Sequence, residues 1–151
     1  MREPTQALEA VLAHMPYAVK MGLRIAALEA GGLVCHLPFK QFFIGNQQLP
    51  ALHGGVLSSF MEIAATLEVT RRQLAHMDNA EMADLRDIGA SLPVPLNVTV
   101  QYLRSANDAD CWVHAEVLKL GRRSSTAVCR MWQGDENKLV ASMTGVFVSR
   151  A

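Results

Sequence analysis

Leu52-His53-Gly54-Gly55-Val56-Leu57-Ser58-Ser59-Phe60-Met61-Glu62-Ile63-Ala64-Ala65-Thr66 is the stretch that decides how the chain must fold. From Val56 to about Leu74 there is no Gly or Pro, and the composition favours helix. Val56, Phe60, Ile63 and Leu67 share one face, while Leu57, Met61, Ala64 and Ala65 carry the apolar cover further round the cylinder. A helix apolar over most of its circumference has to be buried, so other elements must wrap it.

The flanking sequence supplies the wrapping. Upstream, short strands are predicted near Leu23 to Glu29 and Leu33 to Phe39, joined at Gly31-Gly32, with Pro38 marking a strand end or edge. Downstream, Leu96, Val98, Val100 and Tyr102 alternate with polar residues. Further strands are predicted at Cys111 to Leu120, Ser124 to Gln133 and Leu139 to Val148, with turns marked by Gly121, Asp108, Asp110 and Asp135. Thr5 can cap a short N-terminal helix carrying Leu8, Val11 and Leu12, which Pro16 should end or bend. Gln41 to Leu52 reads as a loop, and so does the polar, acid-rich His76 to Pro95, with one helical turn near Ala80 to Leu85. The expected class is α+β: an antiparallel sheet curled round one long central helix, in a single domain over residues 1–151.

Bulk properties narrow the function. Of 151 residues, 50% are hydrophobic and 19% charged, which fits one compact core. Basic and acidic residues balance at 14 each, so no global field draws the chain to nucleic acid or acidic lipid. No stretch is apolar enough to span a bilayer, and Met1 to Glu9 lacks the basic start and apolar run of a signal peptide. Cys35, Cys111 and Cys129 are odd in number and unpaired in spacing, which suits free thiols in a reducing cytoplasm. Cys111-x-x-His114 is thin ground for a metal site, and no G-x-S-x-G, Walker A or G-x-G-x-x-G pattern occurs. No metal or organic cofactor is expected.

Chemistry concentrates at the central helix. Gly54 and Gly55 open it and leave its first amides free of side-chain cover, a setting that favours an oxygen gaining negative charge; a plain glycine turn would look the same. Glu62 lies two turns into the apolar run, with no basic residue between Val56 and Thr70 to neutralise it. Carboxylates held in apolar surroundings suit a general base or a nucleophile, although a solvated face would also explain one. Thr66, one turn on, can hold a water or the carboxylate, or bond back to the Glu62 carbonyl. His53 can contact substrate or bond the backbone at the junction.

With these residues in place, the chain resembles the hot-dog fold thioesterases of the phenylacetate-degradation (PaaI) and 4-hydroxybenzoyl-CoA thioesterase type. The resemblance rests on His53-Gly54-Gly55 with an acid nine residues after the histidine, on Phe43-Ile44-Gly45-Asn46, and on Leu49-Pro50-Ala51-Leu52. It extends through Tyr102-Leu103-Arg104-Ser105-Ala106 and Val117-Leu118-Lys119-Leu120-Gly121-Arg122-Arg123, covering about Met21 to Val148. It implies hydrolysis of an acyl- or aryl-CoA thioester to the acid and free coenzyme A. Gly54 would polarise the carbonyl beside Gly55, and Glu62 would act as general base or nucleophile, assisted by Thr66. Asn46 resembles a water-orienting asparagine, though it lies seven residues before His53 and Gln47 holds the family's usual place. Pro95 stands where some relatives carry Ser or Thr. Arg122 and Arg123 resemble a basic turn that meets the coenzyme A phosphates. The resemblance further implies a homodimer or homotetramer whose sites are shared between subunits. Two rival readings remain: a hot-dog hydratase or dehydratase using His53 with Glu62, and a non-catalytic acyl-CoA-binding module.

Overall fold

A computed structural model of the chain describes residues 4–77 and 91–149. Two helices, α1 (Pro4–Ala13) and α2 (Pro16–Met21), precede a hairpin of β1 (Arg24–Glu29) and β2 (Gly32–Leu37). A 3-10 turn (Gln41–Phe43) and a small hairpin of β3 (Ile44–Asn46) and β4 (Leu49–Leu52) lead into α3 (Gly54–Leu74). Then come β5 (Val94–Tyr102), β6 (Cys111–Lys119), β7 (Ser124–Trp132) and β8 (Leu139–Val148).

Six strands form one antiparallel sheet in the order β1-β2-β6-β7-β8-β5. The period-two pattern turns Val113, Ala115, Ala127, Cys129, Met131, Met143 and Phe147 onto one face. There they meet Leu57, Phe60, Met61, Ala64 and Leu67 of α3, which packs against β2, β5, β6, β7 and β8. Small buried side chains at Ala64, Ala65, Ala115 and Ala127 let helix and sheet approach closely, while the buried Phe60 and Phe147 supply bulk. Each large buried side chain is worth about 1.5–3 kcal/mol of transfer free energy. The predicted helix-in-sheet architecture is present.

Four local expectations change. Pro16 starts a second helix instead of merely ending the first, because proline at the first helical position loses no hydrogen bond. α2 then closes at Gly22, whose φ of 82° and N–H bonds to Ala18 and Val19 carbonyls form a left-handed cap. The β1–β2 turn falls on Ala30 and Gly31, and Gly32 joins the strand. A Cβ at Gly32 would lie 2.1 Å from the Ala115 carbonyl oxygen, so the neighbouring strand requires glycine there. The loop expected at Gln41 to Leu52 is instead the 3-10 turn and the β3–β4 hairpin. Finally, β5 begins at Val94, two residues before the alternating pattern, and takes in Pro95. Proline is tolerated because β5 is an edge strand. The helical turn expected near Ala80 to Leu85 lies outside the described residues.

Candidate active site

The start of α3 is held by its own sequence and by two neighbouring segments. His53 is the N-cap, and its Nδ1 accepts the Gly55 N–H at 2.8 Å, which places the imidazole proton on Nε2. The His53 carbonyl accepts from Val56 N–H at 2.9 Å, and the His53 N–H donates to the Phe43 carbonyl at 2.8 Å. The Tyr102 hydroxyl donates to the Gly54 carbonyl at 3.1 Å. After these bonds, no acceptor engages the Gly54 N–H among the described residues. A free amide at the positive end of a 21-residue helix is a donor suited to an oxygen that gains charge. The Gly55 amide, by contrast, is occupied.

Glu62 is half-buried, on the face of α3 that also carries Ser59 and Thr66. The Thr66 hydroxyl donates to the Glu62 backbone carbonyl at 3.0 Å, so the local back-bond is the use it makes here. Tyr17 of α2 reaches this face through a long 3.5 Å contact with the Ser59 hydroxyl. Gly54 and Glu62 are eight residues apart, about 12 Å along the helix axis. His53 lies one residue further still, with its Nδ1 committed to Gly55, so the chain does not bring His53 and Glu62 together as a pair.

The remaining expected residues are dispersed. Asn46 is exposed, and its Oδ1 accepts the Gln48 N–H at 3.0 Å, closing the β3–β4 turn. Gln47 sits exposed at the tip of that turn. Arg122 and Arg123 are exposed on the β6–β7 turn, and neither forms an ion pair with a described residue. A cavity of about 360 Å³ lies between the first two helices and β1, and another of about 260 Å³ opens beside His114 and Trp132. Neither is lined by Gly54 or Glu62.

Comparison with known proteins decides the family. The acyl-CoA thioesterase N-terminal domain family matches residues 45–148, from β3 to the end of β8. The chain belongs to this family. It is an acyl-CoA thioesterase of the hot-dog fold. It is 25% identical over 136 residues to the medium/long-chain acyl-CoA thioesterase YigI of Salmonella typhimurium, covering 89% of this chain and 86% of that protein. The Escherichia coli YigI is 26% identical over 138 residues, with the same coverage. Among solved structures, a Shewanella oneidensis protein related to the thioesterase superfamily superposes with a TM-score of 0.82 at 21% identity, covering 97% of each chain. A phenylacetic acid degradation-related protein of Ralstonia eutropha gives 0.72 at 21%, covering 94% of this chain and 98% of that one. Both superpositions carry the fold alone.

Two features of the thioesterase escape a reading of its sequence. Glu68, one and a half turns beyond Glu62, is fully buried and paired with Arg71 through bonds of 2.6 and 2.8 Å. That pairing raises the guanidinium pKa further, against the opposing effect of its own burial. The spacing of three residues was the available signal. The other is Asp110, whose Oδ1 accepts the Phe39 N–H at 2.8 Å while Oδ2 meets His36 Nε2 at 2.8 Å. The Phe39 bond first, then His36, lowers the Asp110 pKa. Burial pushes the Cys111 thiol up to about 12, and Cys35 and Cys129 higher still, so these thiols stay protonated. Cys111 faces the core while His114 faces outward, so that pair cannot close on one metal ion.

Proposed function

We propose that this thioesterase hydrolyses medium- or long-chain acyl-CoA, with the Gly54 N–H binding the carbonyl oxygen and Glu62 driving the attack. Water adds to the thioester carbonyl, the C–S bond breaks, and the acid and free coenzyme A leave. Glu62 takes the proton from that water, or attacks first to form an anhydride that water then opens. The observation that carries the reading is the free Gly54 amide at the start of α3, on the helix that also bears Glu62. The chain length of the acyl group is taken from the YigI relatives. Thr66 steadies the Glu62 turn, and His53 and Gly55 shape the start of the helix. Gln47 is the freer amide to orient a water, because the Asn46 oxygen is spent on its turn. Arg122 and Arg123, without an ion partner among the described residues, offer charge for the coenzyme A phosphates.

The working unit in this reading is a homodimer, free to double into a tetramer, of single domains over residues 1–151. Gly54 and Glu62 of one helix lie about 12 Å apart along its axis. That rise is longer than the distance of about 3–3.5 Å between a carbonyl and the atom attacking it, which favours a site shared between copies. In this reading the donor and the carboxylate that meet on one thioester come from different copies. Of the two edges of the sheet, β1 and β5, we assign the pairing to β5, where Leu96 is 68% exposed and Leu103 just after the strand is exposed as well. No helix among the described residues is long and apolar enough to cross a membrane, and we place the enzyme in the cytoplasm on its buried free thiols. The reaction needs water and no cofactor.

Release of free thiol from a panel of acyl-CoAs tests the reading. Glu62→Gln, folded as wild type by circular dichroism, is expected to lower kcat at least about a hundredfold. Equal rates in both proteins would remove Glu62 from the mechanism. Tight acyl-CoA binding without turnover would favour a binding module, and hydration of an enoyl-CoA would favour a hydratase.

A further inference from the structure

We propose that Tyr102 is a positioning residue for the Gly54 amide, gripping from the sheet side the peptide that His53 grips from the helix side. The inference rests on the reading of Gly54 as the donor to the thioester oxygen. Gly54 joins two peptide planes through two soft dihedrals, and glycine leaves those dihedrals freer than any other residue does. The first plane carries the free Gly54 N–H. Its carbonyl, that of His53, accepts from Val56 N–H at 2.9 Å and more weakly from Leu57 N–H at 3.4 Å. The second plane carries the Gly54 carbonyl and the Gly55 N–H. The Tyr102 hydroxyl donates to that carbonyl at 3.1 Å, and His53 Nδ1 accepts that N–H at 2.8 Å. With both planes held, the direction of the free N–H is set before any substrate arrives.

Tyr102 is well placed for this role. It is the last residue of β5 and pairs with Ala141 of β8. The next two amides, Leu103 N–H and Arg104 N–H, both donate to the Val140 carbonyl at 2.9 and 3.2 Å. The backbone that carries the ring is thus fixed by the sheet. The ring lies against Gly54 itself: a Cβ there would stand 3.2–3.3 Å from Tyr102 Cε1, Cζ and the hydroxyl oxygen. A side chain at position 54 would therefore push the tyrosine ring away by a few tenths of an ångström. Donation to the Gly54 carbonyl also polarises the second peptide and strengthens its N–H bond to His53. An oxyanion donor must sit within a few tenths of an ångström of its working place, so loosening the second peptide, which frees the Gly54 dihedrals that aim the first, should cost turnover more than substrate binding.

The test uses the full chain and reads kinetics and amide exchange together. Tyr102→Phe keeps the ring and removes the hydroxyl. It is expected to lower kcat roughly tenfold with KM changed less than about twofold, at a melting temperature close to wild type. It is also expected to speed hydrogen exchange at the Gly55 amide by about tenfold, read by heteronuclear NMR. Glu62→Gln is run beside it to keep the two readings apart. Loss of turnover in Glu62→Gln with wild-type kcat in Tyr102→Phe overturns the positioning role and leaves the thioesterase mechanism standing. If turnover proves independent of Glu62, the mechanism falls and exchange alone judges the grip. Unchanged Gly55 exchange in Tyr102→Phe overturns it under either outcome.

Discussion

Glu62 and Glu68 lie six residues apart on α3 and meet different surroundings. Glu62 reaches partial solvent with no ion partner among the described residues, whereas Glu68 is fully buried against Arg71. A buried carboxylate is tolerable only while its partner holds it, and breaking such a pair is costlier when the surviving charge cannot reach water. The Arg71 side chain keeps 21% of its surface in solvent, while Glu68 keeps none. Arg71→Ala therefore strands the carboxylate and is expected to cost about 3–5 kcal/mol. Glu68→Ala lets the guanidinium turn outward and should cost less, about 1.5–3 kcal/mol. Urea denaturation of both variants checks the order. Equal losses, or a larger loss in Glu68→Ala, would mean that Glu68 is not held by Arg71 alone. Glu62 was legible in the sequence as an acid without a neighbour. Glu68 was not, because its burial depends on how α3 turns against the sheet.

At the scale of elements, the segments around α3 are fastened by short polar links. Asp110, just before β6, holds the Phe39 amide just after β2 and meets His36, which also stacks on Trp112 at 4.8 Å. These bonds depress the Asp110 carboxyl below its ordinary value of 3.8. A depressed folded-state value contributes stability that is present above the unfolded value and is lost as pH falls through the folded one. Stability should therefore fall as pH drops below about 4. Asp110→Asn should flatten that part of the curve, as read by denaturation midpoints at several pH values. A wild-type slope retained in Asp110→Asn would place the acid sensitivity elsewhere. The strands themselves were legible from alternation, and β8 has the predicted bounds, Leu139–Val148. The β3–β4 hairpin was not legible, since strands of 3 and 4 residues show too little alternation to separate from a loop.

For the whole molecule, the proposed dimer turns on the β5 edge of the sheet, opposite the β1 edge. Leu96 at 68% exposure and Tyr102 at 55% leave apolar surface beside unpaired strand backbone. In the proposed dimer that edge is covered, and each site takes its amide from one copy and its carboxylate from the other. Leu96→Lys is expected to shift the protein toward monomer in sedimentation velocity, with turnover falling in step. Full activity in a variant shown to be monomeric would refute the shared site. Dilution of wild type gives a second check, because activity per chain should fall as dimers dissociate.

The sequence by itself determined the class of the fold and the family, and it pointed to one helix for the proposed chemistry. An uninterrupted apolar helix demands a wrapper, and alternating strands on both sides provide it. The His53-Gly54-Gly55 start and Glu62 mark the helix as the candidate site, and residues 45–148 carry the family pattern. Only the tertiary structure decided which amide is free. His53 claims Gly55, Tyr102 arrives from a strand 48 residues away, and the Gly54 N–H is left over. The physical reason is that periodicity records which side of an element is apolar, through local spacing alone. Which donor remains unpaired depends on side chains brought together from distant segments, and no local pattern encodes that meeting.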